Sequence, residues 1–222
     1  MNLESDTSRS RLDLCLNFSN SIHPYPLVLV QNGVAYEVAQ KNLVGSVYWN
    51  HRHQCGDLIA WGLKKGLITR SEAGRLERQV GYNGAGKALL ARALELRETI
   101  YEVFSSIGQG TAPPEKEMRK LNGYLKEALR RSVIAKTDSG YSWKWDEDLA
   151  PGEVIIGEIA RSAADLLTSH MVKNVFACAG KGCDWLGLDK TKNHTRKWCS
   201  MNSCGNRAKA KRYYETHKNA TV

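Results

Sequence analysis

Four cysteines in two close pairs near the carboxy terminus, two long stretches of helical apolar periodicity and two β patterns around turn residues predict an α+β fold that is mostly α. The expected architecture is a helical amino-terminal domain over residues 1–170, with short β-hairpins, followed by a small carboxy-terminal zinc-binding ββα module over residues 171–222. The first 170 residues supply enough apolar chain for one core.

Residues 1–11 contain no apolar run of the kind a signal peptide needs, and no later stretch reaches the length of a membrane span, so a cytoplasmic protein with no membrane partner is expected. Residues 27–30 and 34–38 flank Asn32-Gly33, a strong short hairpin signal, and form the first predicted hairpin. Helices follow over 57–65 and 70–80. The second is preceded by Thr69 with Glu72 three residues on, the arrangement of a capping box. Between 87 and 107 a stripe of Leu90, Ala93, Leu94, Tyr101 and Phe104 predicts a long amphipathic helix. A second runs from 115 to 131 through Met118, Leu121, Leu125, Ala128 and Leu129, entered after Pro113-Pro114. The short link between them makes the two antiparallel neighbours. Residues 132–136 and 141–145 form the second predicted hairpin, with Tyr141, Trp143 and Trp145 on one face, where they either pack on the helices or offer flat surfaces for bases. The last body helix, 152–171, has Ile155, Ile159, Ser162 and Leu166 in line and passes straight into the module without a Gly/Ser-rich spacer. The module is therefore expected to be held against the body.

Cys178 and Cys183 enclose four residues, as do Cys199 and Cys204. Two such pairs, separated by enough chain to fold back, satisfy the tetrahedral preference of one structural zinc ion per chain. Gly180 and Gly182 permit the bend of the first pair. In a reducing compartment clustered cysteines read as metal ligands rather than cystines, whereas the isolated Cys15 and Cys55 read as small buried apolar residues. His194 lies between the pairs, but four thiolates already complete the shell. Two short strands are expected at 185–189 and 196–198, joined by a polar turn, with Trp185 and Trp198 as a small core. Cys204 should then enter a helix running to His217.

Charge is concentrated in the same module. Residues 171–222 carry eleven Lys or Arg against three acids, a net +8, while the first 170 residues net +1. That asymmetry points to a polyanionic partner. Arg196, Lys197, Arg207, Lys209, Lys211 and Arg212 are the candidate nucleic-acid contacts. Arg207 can make a bidentate contact to guanine, or it can support the zinc knuckle together with Asn206.

The run Cys183-Asp184-Trp185-Leu186-Gly187-Leu188-Asp189-Lys190-Thr191, continuing through Arg196-Lys197-Trp198-Cys199 to Cys204-Gly205-Asn206-Arg207, resembles the CGNR zinc finger. That finger typically ends bacterial proteins described as stress-induced transcriptional regulators. Residues 14–21 and the segment Asp57-Leu58-Ile59-Ala60-Trp61 followed by Gly66-Leu67 are similar to the ABATE domain that precedes it, with Asn17 and Ser21 where that family usually has Asp and Thr. The resemblance implies a regulator; together with the basic zinc module it leads to a zinc-dependent DNA-binding transcriptional regulator, DNA ahead of RNA, whose body senses a signal such as a small-molecule effector or forms a homodimer. By analogy with the family, Asn17, Asn20, Arg52 and His53 are candidate ligand-binding residues in the body.

An enzyme is not expected. The glycine-rich 81–86 before Lys87 lacks the spacing of a phosphate-binding loop, and the segment before it reads as helix, not strand. The alternating His51, His53 and Cys55 have no carboxylate partner in view. Two other readings compete with DNA binding: an RNA- or ribosome-associated zinc protein, and an interaction adaptor in which zinc is purely structural.

Overall fold

The structure is a computed structural model that describes residues 12–21, 27–31, 34–38, 55–80, 85–138 and 140–217. In chain order these form α1 (Leu14–Ser19), β1 (Leu27–Gln31), β2 (Val34–Val38), α2 (Cys55–Lys64), α3 (Arg70–Val80), α4 (Ala85–Gly108) and α5 (Glu115–Arg130). There follow β3 (Ser132–Thr137), β4 (Gly140–Trp145), α6 (Pro151–Thr168), a 3-10 turn (His170–Asn174), β5 (Val175–Ala177), β6 (Leu186–Leu188), one π-helical turn (Met201–Gly205) and α7 (Asn206–His217). Three separate antiparallel pairs, β1–β2, β3–β4 and β5–β6, complete a mainly helical α+β fold.

The helices begin where local chemistry favours it. Thr69 and Glu72 form the reciprocal capping box: the Thr69 amide donates to Glu72 Oε2 at 2.6 Å, and the Glu72 amide donates to Thr69 Oγ1 at 3.2 Å. Pro151 opens α6 at a position where its missing N–H costs nothing. On α6, Ile155, Ile159, Ser162 and Leu166 are buried as a stripe, and Ile156, Ala160 and Ala163 are buried beside them, so the helix is enclosed on most sides.

The long helix α4 differs in detail from its sequence pattern. Leu89, Ala93, Leu96, Ile100, Val103 and Phe104 are buried, whereas Leu90, Leu94 and Tyr101 are half-buried. The arc is turned because α4 touches α1, α5, α6 and β5 at once, so burial follows its neighbours instead of the narrowest apolar row. On α5 the buried residues are Leu121, Tyr124 and Ala128, while Leu129 is largely exposed. Tyr124 takes the core position because its ring is apolar and its hydroxyl reaches Arg92 O at 3.0 Å and Glu95 Oε2 at 2.8 Å.

The hairpin β3–β4 divides its aromatic row. Trp145 lies on α6, where a Cβ on Gly157 would come within 2.4 Å of its ring, and its indole N–H donates to Glu158 Oε1 at 2.7 Å. Tyr141 and Trp143 remain 77% and 49% exposed. Trp145 thus packs on α6, Trp143 is half-exposed against Arg161 of the same helix, and Tyr141 stays open.

Short and nearly all buried, α1 touches α4, α6 and β6. Its register gave no amphipathic signal because it has almost no exposed face. Cys15 and Cys55 are buried apolar residues, as their isolation implied.

The core does not stop at the last body helix. Val175, Leu186 and Leu188 belong to the same buried cluster as Leu16, Ile100, Phe104 and Ile159. At the end of α4 the backbones approach so closely that a Cβ on Gly108 would lie 2.8 Å from Ala177 N and 3.0 Å from Phe176 C. Backbone atoms cannot swing aside as a side chain can. Gly108→Ala is expected to destabilise the protein by about 1–3 kcal/mol, read as a lower thermal midpoint with early loss of the β5–β6 hairpin. An unchanged midpoint would mean that the contact is not tight.

Candidate functional site

Cys178, Cys183, Cys199 and Cys204 converge, with their sulfur atoms all within 4.8 Å of one another. The Cys183 and Cys199 sulfurs are 3.9 Å apart, far beyond a disulfide. For comparison, a tetrahedron with Zn–S of ~2.3 Å has edges of ~3.8 Å. The donor set suits zinc, and a shell of four thiolates leaves no open position, the pattern of a structural site. A cation would let all four sulfurs ionise together, which burial and their mutual proximity otherwise oppose. Burial first, then the neighbouring thiol groups, push the Cys183 and Cys199 thiols up from their ordinary value. Burial opposes ionisation of Cys204 as well, but hydrogen bonds led by the one from Arg207 hold its thiol below its ordinary value.

The surrounding chain is shaped to the sulfurs. A Cβ on Gly180 would meet Cys204 Sγ at 2.6 Å, and Gly182 sits at a φ of +69°, in the left-handed region, so both glycines of the first knuckle are required. The amides of Gly180 and Cys199 point at Cys178 Sγ at 3.4 and 3.2 Å. Arg207 Nη2 donates to Cys204 Sγ at 3.0 Å. Of the two roles open to Arg207, the geometry fits support of the cysteine cluster. Arg196 is likewise engaged: Nε donates to Trp198 O at 3.1 Å, Nη2 donates to Cys199 O at 2.6 Å, and the guanidinium lies over the Phe176 ring. Asn206 is exposed.

The strands of the module correct the sequence reading. Leu186–Leu188 pairs with Val175–Ala177, in the register Val175 to Leu188, and residues 196–198 are not a strand. Asp189 is the reason. Its buried carboxylate accepts from Thr191 N–H at 2.9 Å, Thr191 Oγ1 at 2.6 Å and Arg196 N–H at 2.8 Å, which curls the chain after β6 into a side-chain-closed turn. Burial would raise the Asp189 pKa, but these hydrogen bonds outweigh it and hold the carboxyl below its ordinary value. His194, at a φ of +46°, lies within this turn and outside the sulfur cluster. The small core also differs: Trp185 and Trp198 are half-buried, and the buried apolar residues of the module are Val175, Leu186 and Leu188, which face the body.

A second joint ties the module to the body. Asn20, just beyond α1, donates through Nδ2 to Leu186 O at 2.6 Å and accepts from Leu186 N–H at 2.9 Å, satisfying the free edge of β6 as another strand would. Lys190 pairs with Asp13 at 2.9 Å. The Asn17 side chain donates to Asp13 O at 2.8 Å. Of the four candidate ligand-binding residues, Asn20 and Asn17 thus make these internal bonds, while Arg52 and His53 lie outside the described residues. A cleft of about 360 Å³ opens elsewhere in the body, lined by Arg92, Glu153, Arg131, Trp145, Leu149 and Ile156.

The remaining candidate cations sit on and beside α7. Lys197, Lys209, Lys211 and Arg212 are exposed, and no residue of α7 is buried. Lys211 makes an exposed pair with Glu215 at 3.6 Å. Lys181 was not singled out from the sequence; it stands in the first knuckle facing α7 across a cleft of about 300 Å³. Only the folded spacing of the knuckle and the helix brings it there.

Two protein families match the chain. The CGNR zinc finger matches residues 175–217, and ABATE, described as "Putative stress-induced transcription regulator", matches residues 12–170. No curated protein matches it.

Two expectations test this site. Arg207→Lys keeps the charge but loses the planar fork that reaches Cys204, so zinc should pass faster to a chromogenic chelator and the module should melt earlier. Unchanged metal retention together with altered DNA site preference would place Arg207 on a base instead. Asn20→Ala leaves the Leu186 N–H and C=O without partners, at a cost of about 1–3 kcal/mol, visible as faster amide exchange over 186–188. Exchange equal to that of the parent protein would show that this joint contributes nothing.

Proposed function

The chain belongs to the ABATE family, and we propose that it is a DNA-binding transcription regulator, non-catalytic, whose zinc-held carboxy-terminal helix contacts the nucleic acid. The observation that carries this reading is α7 itself: twelve residues, none buried, with four of the module's exposed cations, Arg207 among them, anchored at its amino end by the cysteine cluster. A helix of this length is marginal in water on propensity alone, and one that is polar all round has no apolar face to bury. Its fixed attachment to a metal centre suits a basic element presented to a polyanion. The net +8 of residues 171–222 supports the same reading.

One zinc ion per chain is the proposed cofactor. When bound it supplies structure: it joins the knuckle to the loop before α7. Arg207 and Arg196 then act as positioning residues, while Lys197, Arg212 and, once released from Glu215, Lys211 meet phosphates. Among the described residues the four cysteines are the one group placed to hold a metal, and their shell is closed, which supports binding rather than catalysis. A second reading, RNA in place of DNA, draws on the exposed Tyr141 and Trp143, the latter stacked with the Arg161 guanidinium 5.3 Å from its ring centre.

If roughly four or five phosphates are neutralised, the logarithm of duplex DNA affinity should fall with that of salt concentration at a slope of about −4. A shallow slope, or equal binding by a chain ending at His170, would contradict the proposal. Tighter binding to single-stranded RNA in direct competition would favour the second reading.

A further inference from the structure

Viewed down its axis, α7 has two unlike faces. Arg207, Ala208, Lys211, Arg212 and Glu215 line the cleft of about 300 Å³ that separates the helix from the first knuckle, with Cys204 and Trp198 also on its wall. At about 100° per residue, these five span an arc of about 140°, and Lys209 points about 130° away from its middle. The outward side carries Tyr213 and Tyr214, 60% and 71% exposed, with Tyr213 stacked on His217. Lys209 is its one cation. Lys209 stands about 160° from Lys211 round the helix, so a single rigid contact cannot use the two equally.

The cleft has the chemistry of a phosphate seat. Lys181 faces Lys211 and Arg212 across it, and the left-handed backbone of Gly182, at a φ of +69°, fixes the bend that holds Lys181 there. Arg207 is occupied by Cys204 and does not count among the free donors. Trp198 gives the wall an apolar surface beside the cations, suited to a sugar carried with the phosphate. Glu215 stands at the same cleft, 3.6 Å from Lys211, and is the one carboxylate on its lining among the described residues.

We propose that a backbone phosphate of the bound nucleic acid is seated in this cleft by Lys181, Lys211 and Arg212, so that α7 is used on its inward face. The inference rests on the nucleic-acid reading above and names the side chains of that contact, Lys181 among them. It also gives Glu215 a function. Its carboxylate occupies Lys211 in the free protein and opposes the incoming phosphate, which keeps binding weaker than the cations alone would make it.

The test uses the full-length zinc-loaded protein and a fluorescent DNA duplex across a range of salt concentrations, with zinc content measured for each variant. Lys181→Glu should weaken binding about tenfold, and Lys181→Ala should lower the salt slope by about one, the signature of one lost phosphate. Glu215→Gln should tighten binding about twofold or more. Lys209→Glu should change affinity by less than about twofold. None of these side chains touches a sulfur, so zinc content should stay at the parent level. If Lys209→Glu is as damaging as Lys181→Glu while Glu215→Gln is neutral, the contact is on the outer face; the inference then fails and the DNA-binding reading stands. If the parent protein does not bind the duplex, that reading fails first. Inorganic phosphate separates the two sources of the same chemistry: displacement of the duplex by low-millimolar phosphate at constant ionic strength would make the cleft a free-anion site and overturn the assignment.

Discussion

Four sulfur atoms gathered within 4.8 Å of one another impose the constraint on which the carboxy-terminal module depends. Buried thiols cannot all ionise side by side without a cation, and the amides of Gly180 and Cys199 with the Arg207 guanidinium are already arranged to favour charge on sulfur. The same constraint explains the glycines of the knuckle and the helix after Cys204. A helix with no buried residue has no other anchor of comparable strength. The metal centre thereby sets where the cations of α7 stand and which of them face Lys181.

A second constraint gives the module its footing. Two hydrogen bonds from Asn20 close the edge of β6, Gly108 lets α4 come against β5, and the apolar side chains of the hairpin enter the body core. The half-exposed Lys190–Asp13 pair adds little to this, since such pairs contribute ~0–1 kcal/mol. The hairpin is thus part of the body in packing terms, and the knuckle and α7 are the part that depends on the metal. A change in the body that moved α1 or the end of α4 would be passed to β6 and β5 directly, because no flexible linker intervenes.

Most of this was legible in the sequence, for physical reasons that differ by element. Helices with one apolar stripe, the paired strands β1 and β2, and the Thr69–Glu72 box are local signals, and each lies where its residues indicate. The convergence of the four cysteines was legible because a metal site would fix their spacing. The strand partner of β6 was not: Val175–Ala177 has no alternation over three residues, and the curl imposed by Asp189 shows only in its hydrogen bonds. The six-residue α1 hid for the opposite reason, being buried almost all round. Charge counting found the basic module but could not divide its cations between free donors and supports. Arg196 and Arg207 differ from Lys209 and Arg212 only in what their guanidinium or ammonium groups reach once folded.

The central claim is that the metal orders the knuckle and α7 while the body holds β5–β6. Amide hydrogen exchange followed with and without a zinc chelator tests it most directly. On removal of the metal, protection should fall over 178–204 and α7 and persist over β5, β6, α4 and α6. Protection of α7 that survives chelation, or loss across the body at the same chelator concentration, would contradict the account.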